Sequence, residues 1–196
     1  MTRLTAIVLL AALTIAAGAG ASPVDRGRRV ATGSVSFSSG GGSYYADGDG
    51  NRTQEWSLQP GGGVFVAHGV AVNLLASGTW FRQGGVVANH YEFGPTVEYY
   101  VDTVGDGEAR GRSLPYVGAG VLWGRARSEA AGVETTWNSA CMMLKAGLSW
   151  LLLDSVATDI SVMHRFGTFE QKAPVDGAMR HGNRWTLHLG LKIFLP

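Results

Sequence analysis

Apolar and polar side chains alternate along most of this chain, and the alternation is clearest near its C-terminus. Within 185–195, every odd position is large and apolar, whereas the even positions carry Thr, His, Gly, Lys and Phe. Successive side chains of a β-strand point to opposite faces of the sheet. The segment therefore predicts a strand with one apolar face and one mostly polar face.

The same two-residue period occurs eight times. The predicted strands cover 28–38, 55–66, 70–81, 91–101, 114–124, 137–151, 156–166 and 184–195. Connections after the second and sixth strands are short, whereas those after the odd-numbered strands are mostly longer and Gly-rich or charged. The connection at 102–113, after the fourth strand, is an exception, because it is long although the other connections on that side are short. Such asymmetry is typical of outer-membrane barrels. We therefore predict an all-β fold, an eight-stranded antiparallel up-and-down transmembrane β-barrel.

The first residues of the chain predict export. Arg3 precedes an apolar run over 4–17, and Ala19 and Ala21 supply the small residues that signal peptidase reads. The run is shorter than the ~20 residues that a membrane-spanning helix needs. We expect a signal peptide over 1–21, cleaved after Ala21, and a single barrel domain over 22–196.

Composition favours strands over helices and removes several functional classes. Gly accounts for 29 of 196 residues against a usual share of about 7%, and charged residues for 16% against about 25%. Glycine disfavours helices and suits close-packed barrel interiors. The net charge of +1 gives no support for a nucleic-acid partner. The single Cys141 excludes an internal disulfide and a cysteine-rich metal site, and we expect no cofactor.

The polar face of the strands indicates which side points into the barrel. It is dominated by Gly, Ser, Thr and Asn with a few charges of both signs, which suits a narrow eight-stranded interior. Buried charges need partners, so we predict a luminal network of these groups. Its members are Glu92, Glu98, Lys145, Asp159, Arg165, Arg184 and Lys192. In the alternative, a soluble periplasmic carrier of the lipocalin type, the apolar face would point inward around a ligand.

Aromatic residues lie near the ends of the apolar faces, where a membrane barrel has its interfacial belts. The predicted belt residues are Trp56, Trp80, Tyr91, Tyr99, Trp123, Trp150 and Trp185. A closed barrel has no free strand edge, so we expect a monomer.

Four stretches carry a resemblance to a known family. They are 58–65 (LQPGGGVF), 68–73 (HGVAVN), 99–100 (YY) and 114–120 (LPYVGAG). With them the chain resembles small eight-stranded outer-membrane proteins of the OmpX, OmpA and OmpW type, and the generic outer membrane protein β-barrel domain group.

The resemblance implies a location in the bacterial outer membrane, in contact with its lipid and lipopolysaccharide. It also implies insertion by the barrel assembly machinery with periplasmic chaperones, and a structural, adhesive or small-solute role. Chains of this family usually end in an aromatic residue that the assembly machinery reads. Here Phe194 is followed by Leu195 and Pro196, and the internal Phe194 is the candidate for that role.

Two local patterns resemble sites of known chemistry. Lipid A deacylases resemble this chain in fold and use a His-x-Ser pattern, but the sequence here is His164-Arg165-Phe166, with Glu170 as a candidate orienting carboxylate. We therefore predict no enzymatic activity, with a lipid A-modifying barrel as the less favoured alternative.

A second pattern, 47–51 (DGDGN), resembles the opening of a calcium loop. That loop needs Gly at its sixth position and Glu at its twelfth, where this chain has Arg52 and Leu58. We therefore expect a polar loop and no metal site.

Overall fold

Eight antiparallel strands close into one ring in the computed structural model, where each strand pairs with its neighbours in sequence and the last pairs with the first. The strands are β1 (Arg29–Gly42), β2 (Gln54–Ala67), β3 (Val70–Gln83), β4 (Val86–Tyr100), β5 (Ser113–Ala130), β6 (Val133–Leu153), β7 (Val156–Ala173) and β8 (Met179–Leu195). The structure describes residues 22–42, 54–83, 86–102, 111–130, 132–174 and 177–196. These ranges contain no helix that could span a bilayer. The predicted fold class is confirmed.

The strands are longer than predicted at one end of the barrel. We call this the upper end, and the end that holds residues 22–29 and 195–196 the lower end. β5, β6 and β7 contain 18, 21 and 18 residues, although about 9–11 suffice to cross a bilayer. Tight turns at 68–69 and 154–155 close two lower connections, so the extra length lies at the upper end.

The expectation of long loops after the third, fifth and seventh strands was therefore wrong. β3 and β4 stay paired as far as Gln83 and Val86, and β5 and β6 as far as Ala130 and Val133. Above the apolar segment the outward positions become charged, as at Arg125, so the apolar–polar alternation stops while main-chain pairing continues. The glycine-rich loop at 43–53, with its calcium-like pattern, and the signal peptide lie outside the described residues.

Apolar side chains point outward and polar side chains inward. On β8, Leu187, Leu189 and Leu191 are about half exposed, whereas His188 and Lys192, at alternate positions, are buried. The other strands repeat this arrangement along their central segments. The lipocalin-type alternative, which requires an apolar interior, is wrong.

An apolar plug fills the lower end of the lumen. The segment 22–28 crosses beneath the strands, where the Gly69 amide donates to the Val24 carbonyl at 2.9 Å and the Val24 side chain is fully buried. The plug consists of Val24, Val30, Phe65, Ala71, Tyr100, Leu114, Tyr116, Leu151, Ala157 and Phe194. Phe194 thus points into the lumen, with its ring centroid 6.2 Å from that of Phe65, and not toward the outer surface.

Candidate functional site

Two acids and two bases meet inside the barrel just above the apolar plug. Lys145 Nζ lies 3.2 Å from Glu98 Oε1, and Lys192 Nζ lies 3.1 Å from Asp159 Oδ1 and 3.7 Å from Glu98 Oε2. All four side chains are buried, and they come from β4, β6, β7 and β8. We call Glu98, Lys145, Asp159 and Lys192 the lower cluster. Its formal charges cancel, which offsets part of the cost of burying them.

Two tyrosines complete the lower cluster. The Tyr100 hydroxyl donates to Glu98 at 2.6 Å, and the Tyr116 hydroxyl donates to Asp159 at 2.9 Å. Lys192 Nζ also lies 3.4 Å from the centre of the Tyr116 ring, a cation–π contact. A Cβ at Gly147 would stand 2.6 Å from the Tyr116 hydroxyl, so this strand position must be glycine for the tyrosine to reach Asp159.

A second set of charges lies higher in the lumen. Arg165 and Arg184 both pair with Glu92, the latter at 3.4 Å, and Arg184 also pairs with Glu55. We call Glu55, Glu92, Arg165 and Arg184 the upper cluster. Again two acids oppose two bases, and all four side chains have under a tenth of their surface exposed.

The seven charged residues predicted to face the lumen thus lie in two clusters. An apolar layer separates the two clusters along the barrel axis; it consists of Leu75, Leu122, Met143 and Met163. Sequence reasoning missed Glu55, Tyr100, Tyr116 and His90 as members of the ionic network. The alternation along each strand could have identified the first three. For example, Glu55 lies on the same face as Gln59, and Tyr100 lies on the same face as Glu98. His90 precedes the predicted fourth strand, so no face was assigned to it.

The predicted belt aromatics all lie on the outward surface, each about half exposed or more. Tyr99 and Trp150 lie within a few residues of the lower ends of their strands. The other five lie higher, where Trp56 pairs across the sheet with Trp80, and the Trp80 and Tyr91 rings meet edge to face at 6.0 Å. The apolar residues between the two levels form a band around the barrel.

The residues considered for catalysis do not meet. His164 points outward and stacks on Trp185 with ring centroids 4.3 Å apart. Glu170 is six residues further along β7, roughly 20 Å at about 3.3 Å per residue, and pairs with Lys172 at 2.8 Å. Across the described ranges, no group of three or more His, Cys, Asp or Glu side chains is arranged to hold a metal ion.

The upper mouth of the barrel contains a cavity of about 450 Å³. Its wall takes one inward side chain from each strand of β2 to β8: Glu55, Thr79, His90, Ala126, Trp137, Gln171 and Arg180. Sequence reasoning did not anticipate this cavity, because most of its walls belong to strand extensions that the alternation does not reveal. The Arg180 guanidinium lies 5.0 Å from the centre of the Trp137 ring.

A closed ring with charges inside and an apolar band outside defines a small transmembrane β-barrel. Comparison with solved structures supports this class of fold. Neisserial surface protein A (NspA) is similar with a TM-score of 0.66 at 14% sequence identity, over 89% of this chain and 99% of that one. The outer membrane protein AlkL, solved in DMPC bilayers, gives 0.57 at 16% identity over 91% and 95% of the two chains.

The attachment invasion locus protein Ail of Yersinia pestis gives a TM-score of 0.53 at 11% identity, over 86% of this chain and 99% of that one. No family profile matches the chain, and no curated protein matches it. The expected resemblance to small eight-stranded outer-membrane barrels is confirmed at the level of the fold.

Proposed function

We propose that this protein is a monomeric, non-enzymatic barrel of the bacterial outer membrane, exported behind a signal peptide that is cleaved after Ala21. The outward apolar band is the observation that carries this proposal. Exposed apolar surface costs roughly 25 cal/mol per Å² in water, and contact with lipid tails removes that cost. Insertion by the barrel assembly machinery, with periplasmic chaperones, is part of the same proposal.

The outward aromatic residues support a position for the bilayer. Tyr99 and Trp150 mark its periplasmic interface, and Trp80, Trp123 and Trp185 mark its external interface. Directly above Trp123 on β5, Arg125 is exposed. Guanidinium groups pair well with phosphate, so we propose that this side chain contacts lipopolysaccharide headgroups.

The filled lumen supports a role other than general solute passage. The apolar plug, the two ion clusters and the apolar layer occupy successive levels of the interior. The strand extensions instead raise charged hairpins above the bilayer, as in the Arg127–Glu134 pair at 2.5 Å across β5 and β6. We therefore propose an envelope-structural or adhesive role that acts through these hairpins.

Single-channel recording in planar lipid bilayers tests the closed lumen. The refolded protein should insert without producing a large, long-lived conductance, and a variant lacking residues 22–28 serves as the comparison with the plug weakened. A porin-like conductance in the unmodified protein would contradict the proposed role.

Mass spectrometry of lipid A tests the non-enzymatic part of the proposal. Cells with and without the protein should show the same acylation pattern, because His164 is stacked on Trp185 and far along the strand from Glu170. Loss or transfer of an acyl chain that depends on the protein would refute it.

A further inference from the structure

The cavity at the upper mouth has the size and composition of a small-molecule site. Its volume of about 450 Å³ lies within the range of roughly 300–1,000 Å³ that such sites occupy. The lining residues that bear on binding are Glu55, Thr79 and Phe81 of β2 and β3, and Trp137, Gln171 and Arg180 of β6, β7 and β8. Hydrogen-bonding groups and apolar surface are thus interspersed around the part of the wall that the structure describes.

One buried hydroxyl in this wall lacks a partner. Thr79 is 2% exposed, and its Oγ1 has no hydrogen-bond partner in the described part of the protein. Its two cross-strand neighbours are engaged elsewhere, Ser57 with Ser36 at 2.5 Å and His90 with Ser139 at 3.2 Å. A buried hydroxyl without a partner costs stability, and a ligand that hydrogen-bonds to it recovers that cost.

The lining charges disfavour a strongly ionic ligand. Glu55 at the floor is paired with Arg184, and Arg180 at the rim lies over Trp137. A bound anion would be repelled by the Glu55 carboxylate, and a bound cation would be repelled by the Arg180 guanidinium.

The lining polar groups favour hydroxyl-rich ligands. The Gln171 side chain contains both a donor and an acceptor, and Ser128 and Thr135 add hydroxyl groups, so a ligand hydroxyl matches each of them. Trp137 and Phe81 provide apolar surface for the C–H faces of such a molecule. An alkyl chain would leave the Thr79 hydroxyl unpaired.

We propose that the upper mouth is a binding site for a neutral, hydroxyl-rich molecule of monosaccharide size. The site is defined by the fold itself. Only its access to the external medium rests on the proposed outer-membrane location, so a binding assay on purified protein separates the two proposals.

The test is calorimetric titration of the refolded protein in a detergent without a sugar headgroup. The probes are D-glucose, D-galactose, D-mannose and N-acetyl-D-glucosamine, with inorganic phosphate and 1-hexanol as the ionic and apolar alternatives. The test variant Thr79→Val removes one hydroxyl and keeps the shape of the side chain. Ser77→Ala is the matched control, because Ser77 is also buried with an unpartnered hydroxyl but does not line the cavity.

We expect at least one of the four sugars to bind with one-to-one stoichiometry. Thr79→Val should weaken that binding about three- to tenfold, the effect of one hydrogen bond, and Ser77→Ala should leave it unchanged. Gln171→Ala is the second cavity variant and should also weaken binding, which guards against a folding defect in the first. Absence of binding by all four sugars, an equal loss in Ser77→Ala, or Thr79-dependent binding of phosphate or 1-hexanol instead would overturn the proposal.

Discussion

Removing one charge from the lower cluster should destabilise the barrel far more than removing a charge from its surface. Glu98 accepts hydrogen bonds from Lys145 at 3.2 Å and from Tyr100 at 2.6 Å. Glu98→Gln keeps an acceptor for the tyrosine but leaves the cluster with one acid and two bases. Lys145 loses its carboxylate partner while remaining buried.

The expected loss in the free energy of unfolding follows from the burial of the Glu98–Lys145 pair. Breaking a buried ion pair by removing one partner costs about 3–5 kcal/mol, because the other charge stays buried without compensation. Lys145→Met should cost a similar amount by leaving Glu98 in excess. The double variant restores the balance, since Lys192 and Asp159 still pair at 3.1 Å. It should therefore cost less than the sum of the single variants, with a coupling energy of about 2–3 kcal/mol.

The assay is reversible urea unfolding of the barrel in phospholipid vesicles, followed by tryptophan fluorescence. The control is Lys172→Met, which breaks the exposed pair with Glu170 at 2.8 Å and should cost about 0–1 kcal/mol. The lower cluster does not stabilise the barrel as described if Glu98→Gln costs no more than this control, or if the effects of the two single variants are additive.

Three further predictions concern other parts of the barrel. Gly147→Ala places a Cβ 2.6 Å from a tyrosine hydroxyl and should cost about 1–3 kcal/mol in the same unfolding assay, whereas Gly33→Ala, with open space around it, should be nearly neutral. Leu144→Arg puts a charge on the middle of the outward apolar band and should cost about 2–4 kcal/mol of bilayer stability; a neutral result would show that this surface does not face lipid. Val24→Asp should release the plugging segment, which trypsin would then cleave faster at Arg26; unchanged cleavage would contradict the packing of that segment.

Most of the barrel could be predicted from the alternation of side chains alone. The lipid-facing band forces an apolar residue at every second position, so strands such as β8 are visible in the sequence. Strand ends above the bilayer have no such constraint. At Arg125 and Arg127 the outward face is charged, and only main-chain pairing with β6 shows that the strand continues.

The contacts inside the lumen could be predicted less completely. The alternation of residues indicates which side chains point inward, but it does not give the register between strands. That register determines which inward side chains come into contact. Glu98 pairs with Lys145, 47 positions away, whereas Arg184 reaches Glu55, 129 positions away. Tyr116 joins the lower cluster only because Gly147 leaves space for its ring, a condition set by two strands together.

The location of the barrel is tested by cell fractionation of the expressed protein, with heated and unheated samples compared on a denaturing gel. We expect the protein to be recovered in the outer-membrane fraction and its unheated form to migrate differently from the heated form, because the closed barrel resists the detergent until it is boiled. Recovery in the soluble fraction with no mobility shift would contradict the assignment of the apolar band to lipid.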